Sequence, residues 1–415
     1  MGLSVFERLG VPVIINAKGT ATRLSGGVMA PEVADAMREA TQACVDMCAL
    51  QAAASRVIAR HTGAEAGYVT SGAAAGLLLG TAACVTGLDP GLINRLPDTD
   101  GLRNRVVVVR SQRNFYDHAV RAAGVELVEV GLADRYSGAG VRDAESWEIA
   151  DAIDDRTACV FYVFQPQSRP SLDSVVGVAK AAGVPLLVDA AAQLPPLENL
   201  RRIIGAGADL VAFSGGKALL GPQASGILCG RRDLIAAAAL HNLDHDIEFE
   251  QWNPPPDFID KRELRGLPQH GIGRSCKVGK EQVVGLLAAL EAFDGPAIRA
   301  RHERAGSILD ALERSLPTSL PARVRVYTHG VSGEPRLSLE LTAEAPLSAR
   351  QLVRELQNGD PCIHVDPSEV DHGRIVIVPT ALALEQASVI ATRLHTILAG
   401  TPKRRGGRAQ DVDGM

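Results

Sequence analysis

Phe213-Ser214-Gly215-Gly216-Lys217-Ala218-Leu219-Leu220-Gly221-Pro222 is the stretch on which the reading of this chain turns. Leu210-Val211-Ala212-Phe213 reads as a short buried strand, and Ser-Gly-Gly then turns the chain so that a lysine follows the strand's end. The glycines let backbone come close to a flat ligand, because no Cβ stands in the way. A lysine partly desolvated in such a crevice loses proton affinity and becomes a nucleophilic amine. Gly-Lys also closes the phosphate loop of nucleotide enzymes. Here the glycine spacing of that loop is missing, and Ala218 stands where Ser or Thr is required.

Upstream, Pro185-Leu186-Leu187-Val188-Asp189 is another apolar strand, closed by an acid at its carboxyl end, where open α/β sheets bind ligands. Such an acid either caps the next helix or pairs with a ligand. Thr70-Ser71-Gly72-Ala73-Ala74 marks a strand-to-helix turn whose exposed N–H groups suit an anion, with Ser71 as an added hydroxyl donor. A nucleophilic lysine, a strand-end acid and an anion cradle match the aldehyde, pyridine nitrogen and phosphate of pyridoxal 5'-phosphate. Lys217 and Asp189 are the expected catalytic residues. Ser71, Gly72 and Ala73 are expected at the phosphate, Ser214 and Gln223 at the phosphate or ring, and Ala191 flat on one ring face.

Working outward, Arg105–Val109, Val125–Val130, Ala158–Phe164 and Gly226–Gly230 are further strands, and helical segments fill most gaps. Short apolar strands alternating with helices predict an α/β fold with a doubly covered, mostly parallel sheet. Residues 1–30 read as an N-terminal arm, 31–295 as a large cofactor-binding domain, 296–400 as a small α+β domain and 401–415 as a disordered tail. Pro31 opens a helix expected to run from about Glu32 to His61, and another runs from Lys277 to about Phe293. Residues 241–275, with Pro254-Pro255-Pro256, show no regular pattern, and long irregular stretches in compact proteins are often functional.

The net charge of −5 argues against a nucleic-acid partner, and the only dense basic run, Lys403 to Arg408, reads as a solvated tail. Seven cysteines without CxxC spacing read as buried thiols in a reducing cytoplasm, not as a disulfide framework. Cys44 and Cys48, expected on one helix face, lack further ligands, so no metal site is expected. Met1 to Arg8 is not a secretory signal, and no apolar run of ~18 residues suggests a membrane span.

Ile14-Ile15-Asn16-Ala17, Ser71-Gly72-Ala73-Ala74-Ala75, Val188-Asp189-Ala190-Ala191-Ala192-Gln193, Ser214-Gly215-Gly216-Lys217, Gly221-Pro222-Gln223 and Gly271-Ile272-Gly273-Arg274 through Glu281 together resemble the selenocysteine-synthase-like pyridoxal-phosphate enzymes. Within that group the likeness is greatest to the D-glucosaminate-6-phosphate ammonia-lyase branch. The resemblance implies the aspartate-aminotransferase-like fold type I and pyridoxal 5'-phosphate as cofactor. It makes Lys217 the Schiff-base lysine, Asp189 the pyridinium partner and Ser71 to Ala73 the phosphate cradle. Arg274 and Lys277 match charged positions that would meet cofactor or substrate anions. It also implies a small amino-acid substrate and a homodimer or larger symmetric homo-oligomer with shared active sites.

Three departures stand out. The Asn16 segment starts too early to leave room for the tRNA domain of selenocysteine synthases, so tRNA is not the expected substrate. Gln112 is expected among the cofactor contacts, in the region where the group places a ring-stacking histidine; an amide stacks less well, which leaves Phe115, Tyr116 or His118 as alternatives. Val376-Ile377-Val378-Pro379-Thr380 lacks an arginine found in the relatives. The expected chemistry is α,β-elimination through a Cα carbanion, with racemisation or epimerisation, transamination and β-replacement as alternatives. Racemisation would need a second base, for which His118, His245 and His270 are candidates; His118 and His270 are also substrate-contact candidates. A catalytically silent regulator and an α/β enzyme without this cofactor are the competing classes.

Overall fold

The computed structural model describes residues 4–132 and 143–399, so the basic run at 403–408 lies outside the described residues. In chain order its strands are β1 (Ile15–Ala17), β2 (Ala66–Thr70), β3 (Arg105–Val109), β4 (Glu126–Val130), β5 (Thr157–Val163) and β6 (Leu186–Asp189). There follow β7 (Leu210–Ser214), β8 (Gly226–Gly230), β9 (Ala322–Thr328), β10 (Pro335–Leu341), β11 (Ile363–Val365) and β12 (Arg374–Ile377). Among the described residues two units emerge: 25–132 with 143–297, and 4–24 with 298–399.

The larger unit holds a seven-stranded sheet in the order β2-β8-β7-β6-β5-β3-β4. β8 runs antiparallel to β2 and β7, and the other neighbouring pairs are parallel. The central strands are apolar along their length because helices cover both faces, and Val106–Val109, Leu186–Val188 and Leu210–Phe213 are almost wholly buried. Burial of this surface, at ~25 cal/mol per Å², drives the packing. The helix Ala73–Thr86 is apolar nearly all round and lies against the sheet: a Cβ on Gly80 would stand 3.0 Å from Leu187 Cδ1.

The helix expected from Glu32 to His61 is two helices, Pro31–Ala40 and Met47–Thr62. Asp46 caps the second, its carboxylate accepting from the Ala49 N–H at 2.7 Å, and Gly63 closes it with φ 72°. A strong N-cap inside a helical pattern restarts the helix. Cys44 consequently falls in the break and is exposed, while Cys48 is buried in the helix, so the two do not share a helix face. The helix expected from Lys277 starts at Lys280, after Gly279.

The second unit is α+β. Its antiparallel sheet has the order β12-β10-β9, and β1 pairs in parallel with β11. Ile15 and Ala17 enter one apolar core with Leu309, Leu337, Leu352, Ile375 and Leu394. Among the described residues no helix is long and apolar enough to cross a membrane.

Candidate active site

Strand register gathers the singled-out residues at one edge of the large sheet. Thr70, Gly226 and Ser214 lie in one row across β2, β8 and β7. Asp189 ends β6 opposite Ala212 of β7 and Val163 of β5. Ser71, Lys217 and Asp189 therefore leave the sheet at its carboxyl edge, the usual ligand side of such sheets.

The Lys217 turn is held tightly. Gly215 N donates to Ser225 O at 2.9 Å, Gly221 N to Gly215 O at 3.0 Å, and Leu220 N to Lys217 O at 2.9 Å. Ser225 Oγ donates to Pro222 O. Leu220 adopts φ 56°, a left-handed conformation that side chains rarely take, so the surrounding bonds hold local strain at this turn. A Cβ on Gly216 would meet Gln223 Cα at 2.7 Å, which is why only glycine fits there.

The helix Ala73–Thr86 opens with no side-chain cap, at Gly72 with φ 138° and open space on its Cβ side. Its first amides and its dipole make an anion site. A Cβ on Gly226 would lie 2.5 Å from the Gly72 carbonyl carbon and 2.6 Å from Ala73 N, so β8 lets this helix start pack directly on the strand. Thr70 Oγ1 donates to Gly72 O at 2.8 Å and fixes the turn.

Burial lowers the proton affinity of Lys217, with Asp189 opposing it. Burial raises that of the Asp189 carboxyl, opposed by the Ala191 N–H, which donates to Oδ1 at 2.9 Å, and by Lys217. A half-hidden amine, a buried strand-end carboxylate and an uncapped helix start suit a ligand with an aldehyde, a basic ring nitrogen and a phosphate. The donor set therefore fits pyridoxal phosphate.

Residues 15–250 match the L-seryl-tRNA selenium transferase family. The chain belongs to that family. It is 30% identical over 408 residues to the D-glucosaminate-6-phosphate ammonia lyase of Salmonella typhimurium, across 95% of this chain and 98% of the relative. It is also 30% identical over 403 residues to a 5'-C-glycyluridine monooxygenase-decarboxylase of a Streptomyces species, across 95% and 92%. To the L-seryl-tRNA(Sec) selenium transferase of Serratia proteamaculans it is 26% identical, across 69% and 55%. The solved structure of a D-glucosaminate-6-phosphate ammonia-lyase superposes with a TM-score of 0.77 at 28% identity, over 96% and 99% of the two chains. A cysteine desulfurase from Thermococcus onnurineus, TM-score 0.51 at 15% identity over 96% and 99%, shares the fold. This family member is a pyridoxal-phosphate enzyme of fold type I.

Within that fold the other expected residues separate. Ser71 Oγ donates to Cys276 O at 3.0 Å, so its proton is directed at backbone and the amides remain the donors of the anion site. Gln112 accepts from Val163 N at 2.9 Å and donates to Arg169 O at 3.2 Å. Its amide thus ties a loop to the end of β5. Phe115, Tyr116 and His118 are exposed, and His118 contacts Arg121. Arg274 pairs with Asp244 at 2.7 Å and His270 with Asp246 at 3.3 Å, while Lys277 is exposed. His245 is buried beside Trp252. Among the described residues no cluster of metal ligands occurs.

Sequence reasoning missed Asn242. Its side chain accepts from Tyr68 Oη at 2.8 Å and donates to Gly273 O at 2.7 Å, clamping residues 273–276 beside the Ser71 turn. A buried asparagine near a helix end gives no sequence signal of that role.

Proposed function

We propose that Lys217, Asp189 and the amides opening Ala73–Thr86 hold pyridoxal phosphate, and that the enzyme eliminates a β-substituent from an amino-sugar acid or related amino acid. The likeness to D-glucosaminate-6-phosphate ammonia lyase over nearly the full length of both chains carries this reading. The bound cofactor supplies an electron sink for negative charge developing at the substrate α-carbon. Asp189 would hold the proton at the ring nitrogen, and Lys217 Nζ would hold the aldehyde carbon. The Lys217 amine, whose proton affinity burial lowers, would also take the proton from the substrate α-carbon. A β-hydroxy substrate would lose water and then, on hydrolysis, release ammonia and a 2-oxo acid. A symmetric assembly of copies, a cytoplasmic setting and a small-molecule substrate belong to the same proposal. The net charge of −5 speaks against a nucleic-acid partner, and the exposed Phe115 and Tyr116 suit a contact between copies.

A second reading has its own support, because the monooxygenase-decarboxylase matches at the same identity. The test is to incubate holoenzyme with amino-sugar acids and β-hydroxy amino acids, with and without oxygen. Ammonia and a 2-oxo acid formed without oxygen or acceptor are the expected result. Oxygen uptake with carbon dioxide release would replace elimination by the second reading. Dependence on an oxo-acid acceptor would indicate transamination, and loss of optical rotation alone racemisation.

A further inference from the structure

Asp117 opens the short helix Asp117–Arg121 after β3 and is buried, 3% exposed. Its Oδ2 accepts from Arg113 Nε and from Asn114 N. Its Oδ1 is buried with no hydrogen-bond partner among the described residues. An unpaired buried carboxylate oxygen is expensive to keep and calls for a reason.

The surroundings supply one. The loop carrying Asp117 is fastened to the cofactor edge of the sheet, since Gln112 Oε1 accepts from Val163 N. Val163 lies opposite Asp189 in the β5–β6 pairing, and Phe164 N donates to Asp189 O at 2.9 Å. Asp117 is thus a second buried carboxyl at this end of the sheet, and its charge adds to burial in pushing the Asp189 carboxyl up. Among the described residues, the charged groups linked to the pair include Arg113, bonded to both Asp117 and Glu129, Arg110, bonded to Glu129, and Lys217, which acts on Asp189.

We infer that Asp117 is a positioning residue for the ring-nitrogen proton: it backs Asp189 and strengthens that carboxylate's hold on the proton. Arg113 moderates the effect by neutralising part of the Asp117 charge. The inference rests on the pyridoxal-phosphate reading of the site.

The test uses holoenzyme reconstituted with cofactor carrying nitrogen-15 in the ring. Nuclear magnetic resonance reads the pH at which the ring nitrogen loses its proton, and a titration reads cofactor affinity. Asp117→Asn should lower that midpoint by about one pH unit and weaken binding by about tenfold. Arg113→Gln, which leaves the Asp117 charge unscreened, should move the midpoint the other way. A purely structural role for the Arg113–Asp117 pair would shift both variants alike or neither, and that result overturns the inference. If Asp117→Asn does not fold, Arg113→Gln decides alone: an unchanged or lowered midpoint sinks the idea. Asp189→Asn separates the two levels. If it leaves the titration in place, the assignment of Asp189 to the ring nitrogen fails. If it moves the titration while Asp117→Asn does not, only the role of Asp117 fails.

Discussion

Lys217 lies in the turn after β7, where burial removes part of its proton affinity and Asp189 restores part of it. Lys217→Ala should fold and still bind cofactor weakly through the helix start. It should lack the visible absorption band of the lysine-bound cofactor, and turnover should fall by roughly 10³-fold or more. A variant that keeps both band and turnover would remove Lys217 from the mechanism. The placement of Lys217 and Asp189 at one edge of the sheet was legible in the sequence because one follows and the other ends an apolar strand. Asp117 was not legible, because an acid in a first helical turn reads as ordinary dipole compensation. Gln112 read as a ring contact from its neighbourhood. Only coordinates show its amide bonded to Val163 and Arg169.

At the scale of elements, β3 and β5 through β8 were legible because double burial demands largely apolar runs, which few other structures need. β1 was not: three residues pairing with β11 far along the chain leave no local pattern. The close seat of helix Ala73–Thr86 on β8 was also hidden, since it depends on a missing side chain at Gly226. That contact makes a prediction. Gly226→Ala places a Cβ against the backbone of Gly72 and Ala73, which cannot yield as a flexible side chain would. The variant should lose about 1–3 kcal/mol of stability and bind cofactor more weakly, because the amides of the anion site must shift. Gly177→Ala is the control. It sits in helix Leu172–Ala182 with nothing within 4 Å of its Cβ, and should be neutral or stabilise by about 0.4–1 kcal/mol. Thermal midpoints and cofactor titrations of the two variants check this, and equal behaviour would refute the seating argument.

Across the larger unit, two buried histidines tie stability to pH. His241, on helix Arg232–Asn242, meets Thr86 Oγ1 at the end of Ala73–Thr86 at 2.9 Å, and His245 packs edge-on against Trp252. Burial holds each imidazole down to about 4, against an ordinary value of 6.5. Above pH 6.5 both are neutral whether the chain is folded or unfolded, and their full contribution is present. As pH falls from 6.5 towards 4, the unfolded chain takes up protons that the folded chain refuses, so stability drops, by on the order of 3 kcal/mol per histidine. Carboxylates such as Asp244 and Asp260, held below their ordinary value by arginines and backbone N–H groups, act mainly below this window. The comparison that isolates the histidines is the thermal midpoint of holoenzyme at pH 7.5 and pH 5, wild type against His241→Gln and His245→Phe. Gln can keep the bond to Thr86, and Phe can keep the contact with Trp252. Both variants should lose less stability than wild type between the two pH values. Parallel slopes would mean that these imidazoles titrate normally, and that the pairing of helices behind the anion site does not depend on their staying neutral.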